Sequence, residues 1–211
     1  MTAAGLDGPP VHRITLLVPS SWYEFDIHPA TRDQAIREAV RARVQERPEL
    51  ATCRAELVRT LRRVADEAWE SGVVYFGAMA EVDDEAPLTA SLTVSVVDTA
   101  DEGAPQGGLE GVMAALTSVP RGSRPTDPWR RVRLVDLPDA GTTAARSEGI
   151  EDVAIRDDTR TVRMVMMQTF VPFPDGDPRI AVISAATHQL ALAEPMLELF
   201  DGICETFRFL P

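Results

Sequence analysis

Three histidines, His12, His28 and His188, are the residues of this chain best suited to bind a metal or to transfer protons near neutral pH. No two of them have a ligand spacing such as H-x-x-x-H, and a zinc site needs three or four protein ligands. A site could form only if distant residues converged in the fold. We therefore interpret the three as surface or loop-end histidines and predict no metal site.

Hydroxyl and carboxylate side chains give no catalytic pattern either. Ser147 and Ser184 lie outside the G-x-S-x-G motif that exposes a nucleophilic serine. The carboxylate clusters at 83–85, 157–158 and 175–177 flank predicted strands, where solvated turns are the ordinary interpretation. We predict no catalytic residue and expect a protein that is not an enzyme, with an enzymatic role kept as the alternative.

The basic residues limit the chemistry further. The chain contains no lysine, so all 21 of its basic residues are arginine. This excludes Schiff-base catalysis and a P-loop lysine. The glycines between 103 and 111 lack the G-x-G-x-x-G spacing, so the sequence predicts no cofactor.

The net charge of −12 and the pI of about 4.7 describe a strongly acidic chain. Such a chain repels a phosphate backbone unless it carries a dense basic patch. Its one dense group, Arg59, Arg62 and Arg63, is accompanied by Glu56 and Asp66, which nearly cancel the charge. We therefore predict no binding to nucleic acid.

The predicted location is the cytoplasm. Segment 1–11 is rich in Ala, Gly and Pro and has no basic start followed by an apolar core, so it does not resemble a signal peptide. No run approaches the ~18 apolar residues of a membrane span. Cys53 and Cys204 are the only cysteines; two buried thiols are the default interpretation, and whether they are ever bonded to each other stays open.

Two groups of large side chains could pack in the core or bind a partner. They are the cluster Trp22, Tyr23 and Phe25 and the soft patch of Met164, Met166 and Met167. Methionine fills irregular gaps in cores, whereas Trp and Tyr also anchor interfaces. Core packing is the simpler interpretation, and an adaptable ligand or partner surface is the alternative.

Helical periodicity is clearest over residues 49–71, where apolar residues recur at spacings of three and four. Gly72 follows as a suitable C′ residue. Shorter patterns predict helices between Thr31 and Pro48, over 109–117 and over 192–207. These helices would carry most of the apolar stripes that pack on a sheet.

Strand periodicity is clearest over 88–98, where apolar residues alternate with Thr and Ser, as in a sheet with one buried face. Further strands are predicted at 12–18, 22–27, 73–82, 132–137, 141–150, 161–171 and 180–186. This order of elements differs from the βαβα alternation of a parallel sheet. The sequence therefore predicts an α+β fold, an antiparallel β-sheet packed by helices, with 1–11 as a flexible N-terminal tail and 12–211 as a single domain.

Three parts of the chain together carry a likeness to a known family. They are the apolar entry strand with Trp22-Tyr23-Glu24-Phe25, the stretch Gly141–Arg146 with the strand that ends Val171-Pro172-Phe173-Pro174, and the close formed by Ile180–Ser184, Leu199–Ile203 and Phe207-Arg208-Phe209. These segments resemble the Mog1/PsbP-like (LpqN-like) α/β/α sandwich of uncharacterised actinobacterial proteins. The resemblance implies a binding or assembly factor, although a fold by itself does not fix a function.

We therefore predict a non-enzymatic binding or assembly protein whose partner is another protein or a second copy of the chain. Given the actinobacterial resemblance, an accessory role in type VII secretion is one form of this hypothesis. The alternative is a small-molecule-binding domain or enzyme with a pocket between sheet and helices, lined by Arg146, Glu148 and Trp22. The candidate ligand or partner surface comprises Trp22, Tyr23, Phe25, Arg146, Glu148, Met164 and Met166.

Overall fold

The computed structural model describes residues 13–83, 86–99, 108–117, 128–154 and 160–210. The helices in these ranges are α1 (Arg32–Glu46), α2 (Arg54–Glu70), α3 (Gly108–Thr117) and α4 (Ala193–Glu205), and a 3₁₀ turn over Pro48–Cys53 joins α1 to α2. The strands are β1 (Arg13–Thr15), β2 (Trp22–Phe25), β3 (Val73–Asp83), β4 (Ala86–Asp98), β5 (Trp129–Leu137), β6 (Thr142–Ala154), β7 (Thr161–Pro172), β8 (Arg179–Thr187) and β9 (Arg208–Leu210).

Seven of these strands form one antiparallel sheet in the order β2-β3-β4-β8-β7-β6-β5. Strands β1 and β9 pair separately, with Ile14 opposite Phe209. Among the described strands, β2 and β5 therefore lie at the two edges of the large sheet.

Because side chains alternate along a strand, the sheet has two faces. The face that carries Leu92 and Ile183 packs against α4, and we call it the α4 face. The other face carries Phe76 under α1 and α2 at one end and Val182 under α3 at the other, and we call it the hairpin face. The predicted α+β fold, an antiparallel sheet packed by helices, is confirmed.

The largest core cluster lies on the α4 face. Helix α4 contributes Phe200 and Ile203, and Phe207 follows directly after it, all three buried against β4, β7 and β8. Full burial of each such side chain stabilises the fold by roughly 1.5–3 kcal/mol. This cluster fixes α4 on the centre of the sheet.

A smaller core holds the α1–α2 hairpin on β2 and β3. Its buried members are Ile27, Ile36, Val40 and Ala65. Gly72, with a φ of +75°, ends the hairpin and turns the chain into β3. This is the C′ role that the sequence predicts for Gly72.

The predicted elements agree with the structure apart from the chain ends and the start of the helix predicted over 49–71, where Pro48–Cys53 form a 3₁₀ turn. The apolar run 12–18 forms a strand only over Arg13–Thr15. Strand β9 was not predicted, because its three residues are ordered by pairing with β1, almost two hundred residues away. The predicted tail 1–11 lies outside the described residues, and the single-domain assignment stays a prediction.

Candidate binding site

A cavity of about 390 Å³ lies on the hairpin face, between the edge strand β2 and helices α1 and α2. Most of its surface is apolar, and its volume falls in the range of ~300–1,000 Å³ that is typical of small-ligand sites. The lining residues are Tyr23, Glu24, Phe25 and Asp26 around β2, Ala78 of β3, Ala35, Ile36, Ala39, Val40, Ala42 and Arg43 of α1, and Leu57 and Leu61 of α2.

Small side chains on the surrounding elements leave this space open. Ala35, Ala39 and Ala42 lie at spacings of four and three and so share one face of α1. Ala78 of β3 contributes another short side chain to the lining. Larger residues at these four positions would fill the gap, so the cavity exists because the side chains there are small.

Aromatic residues form the strand side of the cavity. Phe25 and Phe76, which are cross-strand partners, stack with ring centroids 5.2 Å apart. Tyr23 is 51% exposed, and the guanidinium carbon of Arg43 lies 5.3 Å from its ring centroid, within the range of a cation–π contact. Tyr23 and Arg43 therefore meet at the mouth of the cavity.

A second cavity, of about 280 Å³, continues along β2 and shares Glu24, Phe25 and Asp26 with the first. Its remaining walls are aromatic, apolar and histidine side chains that project from the end of β2, the end of α2 and the start of β3. They are Ile27, His28, Trp69, Val74 and Tyr75. The two cavities together follow β2 from Tyr23 to Phe25 and the turn after it.

The second cavity has an acidic rim. The Asp26 carboxylate accepts a hydrogen bond from the His28 backbone N–H at 2.9 Å. Among the described residues, neither Glu24 nor Asp26 forms an ion pair. Burial raises the pKa of Tyr75, and the negative charge of Glu24 raises it further.

Arg146 and Glu148 lie on the α4 face, on β6, and are 0% and 2% exposed. The guanidinium of Arg146 donates a hydrogen bond to the Asp201 carboxylate of α4 and another, at 3.0 Å, to the Thr169 hydroxyl of β7. Its Nη2 atom is buried and has no hydrogen-bond partner among the residues that the structure describes. This contact attaches α4 to two strands of the sheet by a buried charge.

Two arginines of the edge strand β5 neutralise the buried Glu148 carboxylate. The Nε atoms of Arg131 and Arg133 donate to Glu148 Oε1 at 2.7 and 3.2 Å. The adjacent Gly149 has a φ of +155°, and a Cβ there would lie 1.9 Å from the Trp129 carbonyl oxygen. Glycine is therefore required at 149 for β5 to approach β6 this closely.

Cys204 of α4 completes this group of residues. Its thiol is 1% exposed and lies 3.7 Å from the Thr169 hydroxyl oxygen. Burial raises the pKa of the Cys204 thiol, while the Arg146 charge opposes that shift. A thiol held protonated in this way is a poor nucleophile, so this group has the character of a packed core.

The structure separates the residues that the sequence put forward as one surface. Tyr23 and Phe25 line the cavity under the hairpin. Trp22 faces the opposite side, in the core of the α4 face, and no described residue is a hydrogen-bond partner of its buried indole N–H. The structure places Trp22, Arg146 and Glu148 on the face opposite to the cavity, so they do not line it, and their part in a ligand or partner surface stays a prediction.

Met164 and Met166 share the hairpin face with Tyr23 but lie elsewhere on it. A row of cross-strand partners runs from Met166 of β7 to Tyr23 of β2. Its members between them are Ala186 of β8, Ser91 of β4 and Ala78 of β3. Four strand spacings therefore separate Met166 from Tyr23, which is about 19 Å. Both methionines are half-buried, and neither lines the cavity.

Sequence reasoning missed the α1 alanines, Arg43 and Ala78. An available signal was the pattern of alanines beside Ile36 and Val40, which widens the apolar stripe of α1 with small side chains. Such a stripe indicates either close packing or a gap. The sequence alone does not distinguish the two, because the outcome depends on the residues of β2 and β3 opposite it.

Other sites give weaker candidates. A hollow of about 570 Å³ lies at the turn from β5 to β6; it is shallow and formed largely by the adjoining ends of those two strands. No three His, Cys, Asp or Glu side chains in the described ranges are grouped so that they could hold a metal ion. Of the helices in those ranges, none combines the length and apolar character needed to cross a membrane.

Comparisons with known proteins give a distant likeness to solved structures. No protein-family profile and no curated protein matches the chain. Among solved structures, the chain is similar to LpqN, described as involved in cell envelope biogenesis of Mycobacterium tuberculosis, with 12% identity and a TM-score of 0.48 over 98% of this chain and 88% of LpqN. This likeness is too distant to assign a family or a function, and the Mog1/PsbP-like assignment stays a prediction.

Proposed function

We propose that the protein is a non-catalytic binding protein whose binding site is the apolar cavity between β2 and the α1–α2 hairpin. The observation that carries this proposal is the cavity itself, about 390 Å³ of largely apolar space kept open by alanines. Burying an apolar group there would gain roughly 25 cal/mol for each Å² removed from water.

The lining also supports binding over catalysis. Its described residues include no His, Cys, Ser or Thr side chain, so it contains none of the usual nucleophile–base pairs. The charged groups of the lining are Glu24 of β2, Asp26 of the turn after it, and Arg43, which contacts Tyr23 at the mouth. A site of this kind selects its ligand by shape and apolar character.

The test is the binding of the neutral apolar dye Nile red, followed by its fluorescence. The wild-type chain should bind the dye, and Ala39→Trp should weaken binding by about tenfold or more, because the indole fills the cavity. Ala42→Trp, a second exposed position on the same wall, should have the same effect.

Ala114→Trp is the matched control. It introduces the same side chain at an exposed position of helix α3, away from the cavity, and should leave dye binding unchanged. Circular dichroism melting curves would establish that all three variants are folded. Equal dye binding by the wild-type chain and by both cavity variants would refute the proposal.

Several finer expectations stay predictions. These are the cytoplasmic location, the accessory role in type VII secretion and the formation of a homodimer. The choice between a small molecule and a protein partner depends on how the cavity continues along β2.

A further inference from the structure

Building on the proposed function of the cavity, we infer that its occupant is an extended peptide segment that adds to the open edge of β2. The segment would place apolar side chains in the cavity and a basic side chain beside Glu24. Three features carry this inference: the position of β2, the alternation of its side chains and the charge around it.

Strand β2 has a partner on one side only, since β3 is the strand beside it among the described residues. The Trp22 N–H donates to the Pro19 carbonyl at 3.0 Å and so is not used for pairing with β3. In an antiparallel pair, residues alternate between facing the partner and facing away. The backbone groups of Glu24, two residues on, therefore point to the open edge, where an added strand could pair with them.

The side chains of β2 alternate between the two faces, and an added strand would follow the same alternation. Residues opposite Tyr23 and Phe25 would point to the hairpin face, where the cavity of about 390 Å³ lies. The residue opposite Glu24 would point to the other face. The expected segment therefore has apolar residues at i and i+2 with a different residue type between them.

Charge identifies the intervening residue as Lys or Arg. Glu24 and Asp26 line the second cavity and form no ion pair with a described cation. Opposite charges directly across two strands stabilise the pairing. The rings of Tyr75 and Trp69 lie in the same cavity, and a cation there could also interact with an aromatic face.

The same charges disfavour an acidic lipid. A fatty acid in the apolar cavity would bring its carboxylate to a mouth whose charged lining is Arg43, Glu24 and Asp26, so two carboxylates oppose the attraction of one guanidinium. The net charge of −12 adds a general attraction for basic segments and repulsion of anions. A basic peptide is attracted both by these carboxylates and by the net charge of the chain. Trp69 and Val74, 41% and 49% exposed, would extend its apolar contact.

The experiment selects random nine-residue peptides displayed on phage against the immobilised wild-type chain, with Ala39→Trp present in solution as competitor. We expect enrichment of peptides in which apolar residues alternate with Lys or Arg. A synthetic peptide with the enriched sequence is then measured by fluorescence anisotropy against the variants.

Ala39→Trp should weaken peptide binding by about tenfold or more, since it removes the anchor pocket. Glu24→Gln should weaken it by about threefold and reduce its dependence on salt. Glu110→Gln, which removes an exposed carboxylate from helix α3, is the control and should have no effect. Two further peptides are N-methylated, one at the odd-numbered and one at the even-numbered backbone nitrogens. Only one of these two sets of N–H groups can pair with β2, so methylation of that set should abolish binding and methylation of the other should not.

The inference fails if no peptide is enriched, if enriched peptides lack basic residues, or if both N-methylated series bind as well as the parent. In those cases the Nile red result still decides the proposed function separately. Dye binding that the cavity variants abolish, without peptide enrichment, would leave an apolar small molecule as the occupant and overturn the peptide.

Discussion

The two faces of the sheet hold their helices in different ways. On the α4 face, helix α4 is attached by a continuous apolar cluster and by the contact of the buried Arg146 with the half-buried Asp201. On the hairpin face, α1 and α2 meet the sheet through a smaller core and leave a cavity beside β2. The same sheet therefore carries a closely packed side and a side with unfilled apolar space.

The difference separates polar chemistry from accessible space. The buried ionisable residues, Arg146 and Glu148, belong to the packed face, where their partners are other side chains of the chain. The accessible apolar space belongs to the other face, where the lining is aliphatic and aromatic. Buried and paired charges thus hold elements together in one region, while binding is expected in the other.

The largest expected effect comes from breaking the charge contact on the α4 face. Asp201→Ala leaves Arg146 buried with Thr169 as its remaining partner, so the free energy of unfolding should fall by about 3 kcal/mol. Urea denaturation measures this. Asp139→Ala removes the carboxylate of an exposed pair with Arg208 and should cost less than about 1 kcal/mol; equal losses would contradict the role assigned to Arg146.

Matched leucine truncations should reveal the unequal packing. Leu197→Ala, in α4, removes a side chain that is 4% exposed and should cost about 3 kcal/mol. Leu61→Ala, in α2, enlarges an existing cavity and should cost about half as much, since Leu61 is only half-buried. If both variants lost the same free energy of unfolding, the hairpin face would be packed as well as the α4 face.

The two cysteines report the same contrast by their reactivity. Cys204 is buried in the α4 core with a raised pKa, whereas Cys53 is half-buried at the end of the 3₁₀ turn, and neither forms a disulfide. In a Cys53→Ser variant, a thiol reagent such as DTNB should find no reactive thiol until urea unfolds the chain. In the Cys204→Ser variant, Cys53 should react in the folded state. Rapid reaction of Cys204 in the folded Cys53→Ser variant would contradict the close packing of α4 on the sheet.

The smallest expected effect concerns alkaline pH at the β2 edge. The folded-state pKa of Tyr75 is raised, chiefly by burial, above the ordinary value of about 10. Its contribution to stability is therefore complete below about pH 10 and is lost as the pH rises through the folded pKa. Unfolding measured at pH 8 and pH 11 should show a steeper loss for the wild-type chain than for Tyr75→Phe, and identical profiles would exclude this role for Tyr75.

Local periodicity in the sequence was sufficient to predict most of the elements and the antiparallel class. The alternation over 88–98 predicts β4, and the stripe over 49–71 together with Gly72 predicts α2 and its end. These signals are local, because burial of one face imposes a repeat of two or about 3.6 residues on the chain itself. The absence of lysine likewise settled several classes of chemistry without any structure.

The tertiary structure alone decided which residues share a site. Trp22 and Tyr23 are neighbours in sequence, yet they lie on opposite faces, while Ala39 and Ala78 meet the same cavity from different elements. A cavity is a difference between the space enclosed by several elements and the side-chain volume that fills it. Since register and helix placement set that space, and no short stretch of sequence encodes it, the site became visible only in the folded chain.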